Sequence, residues 1–238
     1  MLKKTQGIVL QSIKYSETSI ICRIFTRDFG LQSYLVKGVR TAKPSAKGPL
    51  FRPLNVLDLI VYRKESKNLQ HLKEYKVAYL YQALPFDIVK SSIALFMIEV
   101  LSKVLKEEEV DEELYAFANH SLVSLDVLEH VDPNFHLYFL LELSKYLGFI
   151  PSGDFAPPYE FFDLREGNFV MGPAIHGYQV GLPYSQYIAI LVNGESTLSI
   201  SSKERNIILD YLLQYYAFHL PDFGGIKSHK ILHEVLGK

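Results

Sequence analysis

The first eighty residues alternate between short apolar runs and turn-forming residues. Within residues 19–26, Ile20, Cys22 and Ile24 recur with a period of two, which is typical of a strand. Comparable runs predict five strands, at residues 7–13, 19–26, 31–37, 54–63 and 69–77. Five short strands are too few for two well-packed sheets. The pattern therefore predicts a small five-stranded barrel of the OB-fold type, with an SH3-like barrel as the alternative.

The apolar pattern changes to a helical period after residue 80. Apolar residues recur at spacings of three and four in three stretches, at residues 85–105, 111–128 and 134–147. Ser201 and Glu204 have the spacing of a capping box, which predicts a helix over 203–218, and a last short helix follows from Ser228. The C-terminal part of the chain is therefore expected to be mostly helical.

One segment of this C-terminal part has neither period. In residues 149–182, prolines and glycines separate aromatic residues, and Glu166 with Gly167 suits the turn of a hairpin over 162–170. We expect a small irregular insertion that contains this hairpin. Together the patterns predict an α+β protein with two domains, a five-stranded OB-fold barrel at residues 1–80 and a mostly α-helical domain at residues 81–238.

Charge divides the chain at the same place. Residues 1–80 contain fifteen Lys and Arg against five Asp and Glu, whereas the remaining 158 residues contain ten against twenty-one. These net charges of +10 and −11 are hidden in the overall value of −1. A strongly basic domain attracts polyanions, and an acidic one repels them. The composition therefore predicts that the barrel binds nucleic acid.

The most basic segment lies between the third and fourth predicted strands. Residues 37–52 read KGVRTAKPSAKGPLFR, with no acidic side chain and with Gly and Pro residues that prevent regular structure. Such a loop either remains a solvated charged loop or binds phosphates, and each Lys or Arg that neutralises a phosphate releases a counterion. Its cationic residues are Lys37, Arg40, Lys43, Lys47 and Arg52.

Further cations on the neighbouring strands and turns, Arg23, Arg27, Arg63 and Lys64, shift the balance toward phosphate binding. Tyr34 is placed on a predicted strand, as is Tyr62. Exposed aromatic rings stack on bases in single-strand binders, whereas buried rings only pack in the barrel. The predicted DNA-binding residues are Arg23, Arg27, Tyr34, Lys37, Arg40, Lys43, Lys47, Arg52, Arg63 and Lys64.

Candidates for catalysis or metal binding are sparse. His229 and His233 have the four-residue spacing of metal ligands on a helix, and His219 or Asp222 would complete a site. A metal-dependent hydrolase is therefore an alternative function. The single cysteine, Cys22, excludes an intramolecular disulfide or a cysteine-rich zinc ribbon, and no nucleophile occurs in a recognisable motif. We expect no enzyme activity, no cofactor and no bound metal.

Composition also bears on location and on the kind of nucleic acid. No apolar run reaches the length of about 20 residues that a membrane span needs, and residues 7–10 are too short for a signal-peptide core. A cytoplasmic protein without a membrane partner is expected. Because phosphate contacts alone do not distinguish DNA from RNA, a general RNA-binding OB-barrel protein is a second alternative.

Three segments of the chain carry motifs in a characteristic order. They are GIVLQSIKYSETSIICRIFTRDFGLQSYLVKGVR at residues 7–40, LGFIP at 147–151 and IKSHKILHEVL at 226–236. In this order they resemble the RecO family of bacterial recombination mediators. Many relatives have a four-cysteine zinc module after the Leu-Gly-Phe segment, but residues 149–182 contain no cysteine. The motif residues are Tyr15, Glu17, Phe25, Thr26, Gly30, Lys37, Gly38 and Arg40.

The resemblance implies a function as well as a fold. It implies an OB-fold domain followed by a helical domain that lacks the family zinc site, and a protein that binds single- and double-stranded DNA without covalent chemistry. It further implies annealing of complementary strands, including strands coated with single-strand-binding protein, and action with RecR in loading RecA. The expected location is then the cytoplasm, in association with the nucleoid.

Overall fold

The computed structural model describes residues 1–39, 48–64, 66–107, 109–194 and 198–237. The chain divides into two compact units, residues 1–128 and 129–238. No helix in these described ranges is both long and apolar enough to span a bilayer.

The first unit begins with a closed five-stranded barrel. Its strands pair in the order β1-β2-β3-β5-β4, and every pair is antiparallel except β3 with β5. The predicted OB-type barrel is therefore confirmed. The strands are β1 Leu2–Lys14, β2 Ile20–Thr26, β3 Gly30–Val36, β4 Val56–Tyr62 and β5 Leu69–Tyr79.

Alternation along the strands fills the interior of the barrel. Ile24, Leu57 and Leu59 are among its buried residues, and Cys22 lies beside them with no exposed surface. Burial raises the pKa of the Cys22 thiol to about 12, because the charged thiolate is disfavoured away from water. Cys22 is thus a packing residue of the core.

The turn between β2 and β3 brings the barrel against the acidic connection that precedes residue 112. Gly30 has a φ of +64°, and a Cβ at this position would clash with the carbonyl oxygen of Glu109. Leu31 forms a parallel β-bridge with Glu107. The connection therefore covers the edge of β3 that β5 leaves unpaired.

Two capped helices complete the first unit. They are α1, Ile88–Val104, and α2, Glu112–Val127. The Asp87 carboxylate accepts hydrogen bonds from the N–H groups of Val89 and Lys90 at 2.8 and 3.0 Å, and Asp111 accepts from Leu114 at 2.8 Å. Both carboxylates accept hydrogen bonds from backbone N–H groups that have no partner within the helix at its start.

A buried carboxylate joins α2 to the end of the barrel. Asp126 is 2% exposed and accepts hydrogen bonds from the N–H groups of Gln82, Ala83 and Leu84 at 2.9, 2.9 and 2.7 Å. The Tyr79 hydroxyl donates a further bond at 3.0 Å. The chain that leaves β5 is therefore fixed to the last turn of α2.

The second unit is helical with one small sheet. The hairpin predicted over residues 162–170 is confirmed, and so is the Ser201 and Glu204 capping box. A third strand and the helix after it were not predicted. The elements are α3 Phe135–Tyr146, β6 Phe161–Asp163, β7 Asn168–Val170, β8 Gln179–Val180, α4 Tyr184–Val192, α5 Ser202–His219 and α6 His229–Val235.

Aromatic packing and one acid–histidine contact hold the small sheet. Phe162 packs on Phe169 and on Tyr215 of α5, with ring centroids 5.2 and 5.6 Å apart. The His176 Nε2 atom lies 2.9 Å from the buried Asp163 carboxylate, and Tyr178 N–H donates to His176 Nδ1 at 3.0 Å. These contacts lie within residues 149–182, the segment that contains no cysteine for a zinc module.

Candidate nucleic-acid interface

The strand register places four outward-facing side chains in one row across the barrel. Ile21 on β2 lies opposite Leu35 on β3, which lies opposite His71 on β5, and His71 lies opposite Tyr62 on β4. Opposed side chains share one face of a sheet. We call this row the transverse strip. Its neighbours along the strands point into the barrel and are buried, namely Cys22, Tyr34, Gln70 and Val61.

Exposed lysines flank the transverse strip on both sides. Lys37 lies two residues beyond Leu35, and Lys73 two residues beyond His71, on the parallel strands β3 and β5. Lys64 lies two residues beyond Tyr62, where the chain runs in the opposite direction. Lys37 and Lys73 therefore lie on one side of the strip and Lys64 on the other.

A groove of about 510 Å³ is lined by the three lysines and by three residues of the transverse strip, Leu35, Tyr62 and His71. Leu72 and Tyr75 complete its wall together with Leu35 and Val36, and none of the described lining residues is acidic. The Lys73 Nζ atom lies 3.4 Å from Glu74 Oε1, in a pair with both side chains exposed. Such a pair contributes at most about 1 kcal/mol, so a phosphate can replace Glu74 at small cost.

A second cleft on the same barrel is lined by both acidic and basic side chains. It has a volume of about 450 Å³ and lies along β1, β4 and β5. Its lining contains Asp58 and Glu74 as well as cations, and Lys76 Nζ lies 3.5 Å from Asp58 Oδ2. Because two acids offset two of its three cations, this cleft attracts phosphates less than the groove does.

The structure brings only part of the predicted basic set to the groove. Lys37 and Lys64 line it, and Arg52 is exposed immediately after a short 3₁₀ turn. Arg40, Lys43 and Lys47 lie outside the described residues.

The three other predicted arginines occupy separate places on the barrel. Arg27 lines the second cleft, with its Nε atom 3.5 Å from Asp28 Oδ2. The guanidinium of Arg63 lies over the Phe29 ring, 4.5 Å from its centroid, in a cation–π contact. Arg23 is half-buried on the outer face of β2 between its partners on β1 and β3.

The prediction that Tyr34 stacks on a base is wrong. It is 1% exposed and belongs to the barrel core, so its ring has no face available to a base. Burial raises the pKa of its hydroxyl, and Arg63 opposes that effect. Tyr62 is 46% exposed and lines the groove, so it is the tyrosine of the pair that can stack on a ligand.

The prediction missed four lining residues on β5, namely His71, Leu72, Lys73 and Tyr75. Their signal was present in the sequence as alternation of polar and apolar residues along the fifth strand. Lys73 lies at a bulge, where β5 has one residue more than β4 between two paired positions. The bulge changes the direction of the Lys73 side chain, and the period of the sequence does not indicate this bulge.

The histidines proposed for a metal-dependent hydrolase do not form a metal site. Among the described residues, no group of three or more His, Cys, Asp or Glu side chains is placed to hold an ion. The rings of His229 and His233 lie 5.4 Å apart, and the nearest acid to His233 is Asp210, at 3.9 Å. His219 instead stacks on Phe149, at 5.1 Å between ring centroids.

Comparison with known proteins assigns both parts of the chain. Residues 1–81 match the family described as Recombination protein O N terminal, and residues 85–155 match Recombination protein O C terminal. The chain belongs to the RecO family. The DNA repair protein RecO of Phocaeicola vulgatus is 37% identical over 239 residues, which cover 99% of both chains. The RecO proteins of Flavobacterium psychrophilum and Bacteroides fragilis are 36% and 34% identical, over 98% and 99% of both chains.

Membership of the RecO family decides the general role of the chain. It acts in DNA repair and recombination, as a mediator and not as an enzyme. The resemblance drawn from residues 7–40 is therefore confirmed. The barrel that carries the groove is the part matched by the N-terminal RecO model.

Proposed function

We propose that this chain binds single- and double-stranded DNA through the outer face of its barrel and anneals complementary strands. The observation that carries the proposal is the groove, where Lys37, Lys64 and Lys73 surround an aromatic and apolar strip. In OB folds, the face of strands 2 and 3 and its adjoining loops bind oligonucleotides, and the groove adjoins that face at β3. Further phosphate contacts in this proposal are the cations predicted from the sequence, Arg40, Lys43, Lys47 and Arg52.

Annealing follows from electrostatics. Two complementary strands repel each other through their phosphates, and a cationic surface that neutralises both backbones lowers that repulsion. Phosphate contacts are independent of sequence, so one surface serves any pair of strands. Lysines on both sides of the transverse strip suit this task better than a single row would.

The proposed setting of this activity follows from family membership. We propose that the chain acts on DNA coated by single-strand-binding protein, works with RecR, and helps to load RecA, in association with the nucleoid. Each step requires a protein that holds DNA without cutting or modifying it. The groove supports that role because its described lining offers positive charge and exposed rings that can hold DNA without covalent contact.

The first test reverses two groove lysines. We expect Lys64→Glu with Lys73→Glu to weaken binding to unrelated DNA sequences alike, and to lower the slope of log K against log salt by about 1 to 2. The matched control is Lys203→Glu with Lys230→Glu, which makes the same change in net charge at exposed helix starts. Equal losses in both double variants, or none in either, would reject the groove as the site.

The second test measures annealing of complementary oligonucleotides coated with single-strand-binding protein. We expect the wild-type chain and the control to accelerate annealing, and the groove variant to lose most of that acceleration. Competition between RNA and DNA of one sequence tests the alternative role. Preference for RNA would favour a general RNA-binding barrel over a DNA mediator.

A further inference from the structure

The transverse strip has a property that phosphate binding does not use. Tyr62 and Leu2 are 46% and 44% exposed, and they lie opposite each other on β4 and β1. Ile13, opposite Ile21, is 47% exposed. Apolar and aromatic surface therefore continues across the outside of the barrel, and water contacts it directly.

Phosphates gain nothing from this apolar surface, whereas bases do. Unpaired bases stack on aromatic rings with little regard to sequence, because every base has a π face. Tyr62 and His71 are direct cross-strand neighbours, so both side chains project from the same face of the sheet into the groove. Lys37, Lys64 and Lys73 border them at the distance of two residues along each strand.

We infer that Tyr62 and His71 form a base-stacking platform that makes the groove selective for unpaired nucleotides. This inference rests on the proposed DNA-binding function and adds its selectivity. In a duplex the bases are stacked on each other and paired, so only the phosphates reach the lysines. In a single strand the bases turn onto the strip while the backbone stays with the lysines.

The experiment separates base contacts from phosphate contacts. The affinities of wild-type chain, Tyr62→Leu and Tyr62→Phe are measured for a single-stranded oligonucleotide, an abasic oligonucleotide of equal length, and a duplex of the same sequence. Tyr62→Leu is expected to lower affinity for the base-bearing single strand about fivefold to 150-fold, the range for one stacked base. Affinity for the abasic strand and the duplex is expected to change by less than about twofold.

Two further readouts fix the physical cause. Tyr62→Phe keeps the ring and is expected to bind like the wild type. A 2-aminopurine base in the strand is expected to lose fluorescence on binding to wild-type chain, through stacking, and to lose less on binding to Tyr62→Leu. His71→Leu in the Tyr62→Leu background is expected to remove the remaining quenching.

The outcomes distinguish this inference from the proposed function. If the wild-type chain binds DNA, with the expected loss in the lysine variant, but Tyr62→Leu affects all three ligands equally or none, the stacking platform is rejected alone. If neither wild-type affinity nor salt dependence indicates DNA binding, the proposed function fails. Tyr62 is half-exposed, so a thermal melt of Tyr62→Leu close to wild type shows that the fold is retained.

Discussion

Replacement of Asp126 by alanine is the most informative perturbation of the fold that presents the groove. The carboxylate accepts hydrogen bonds from three consecutive N–H groups, at residues 82 to 84, and from the Tyr79 hydroxyl. No other described side chain accepts a hydrogen bond from these three N–H groups. Without Asp126, the link between the end of β5 and the last turn of α2 is broken.

The expected loss follows from burial. A hydrogen bond to a charged group contributes about 1.5–3 kcal/mol, and these bonds are not additive because they share one acceptor. Removal of the shared acceptor leaves several buried N–H donors without a partner; each costs about 1–3 kcal/mol, and a total of about 3–5 kcal/mol is expected. We expect Asp126→Ala to lose that amount and Asp126→Asn about half of it, since asparagine keeps one acceptor oxygen. Most domains have only about 5–15 kcal/mol in total.

Urea unfolding followed by circular dichroism measures both losses, with an unchanged m-value as the sign that the folded state is retained. Asp222→Asn is the control, because this acid is exposed and its change is expected to stay within about 0.5 kcal/mol. A loss below about 1 kcal/mol for Asp126→Ala would refute the reasoning, since it would mean that the three N–H groups do not depend on the carboxylate.

The same residue has a pH signature. Burial raises the pKa of Asp126, but the N–H groups of Gln82, Leu84 and Ala83 and the Tyr79 hydroxyl outweigh burial and hold the pKa below the ordinary 3.8. A carboxyl with a lowered folded pKa stabilises the fold above its unfolded pKa. The stability difference between wild type and Asp126→Asn should therefore be constant above pH 5 or so and shrink as the pH falls below about 3.8.

Two further substitutions test other parts of the fold. His136 is 1% exposed, and burial, with Arg205 and His233 nearby, lowers its pKa from 6.5 to about 3. Between those two pH values the unfolded chain binds this proton and the folded chain does not, so wild-type stability decreases as the pH is lowered. His136→Gln should reduce the slope of the unfolding free energy against pH by about 1.4 kcal/mol per pH unit. Parallel curves for wild type and variant would contradict the assignment. Gly30→Ala, at φ +64° and against the Glu109 carbonyl, should cost about 2–4 kcal/mol in urea unfolding, and a cost below about 1 kcal/mol would mean that the connection moves freely.

The barrel was predictable because its strands carry a strong local pattern. Their ends were not, since pairing between distant segments sets them. The first strand was predicted over residues 7–13, but β1 starts at Leu2, because residues 2 to 8 pair with β4 from Tyr62 back to Val56. Lys3 and Lys4 are exposed there and give no apolar signal.

The small sheet shows the same limit more sharply. Glu166 and Gly167 gave a local turn signal, and the hairpin was found. β8 has two residues and is defined only by pairing with β6, where Val180 lies opposite Phe162. Two residues contain no period, so no reading of the sequence could predict this strand.

Tyr34 was misassigned for a different reason. Both phases of β3 are apolar, with Leu35 outside and with Tyr34 and Val36 inside. Alternation therefore did not show which phase faced the core. The register settles the question, because Tyr34 lies opposite the fully buried Cys22 while Leu35 lies opposite His71.

The register also bears on which feature of the barrel is proposed to bind DNA. Charge density alone pointed to residues 37–52, but density along the chain does not show which cations share a surface. The register does, because it brings Lys37, Lys64 and Lys73 from three distant segments around one apolar strip. Charge attracts any polyanion, whereas charge beside exposed rings distinguishes paired from unpaired bases. The selective element that we infer therefore lies on the strands of the barrel.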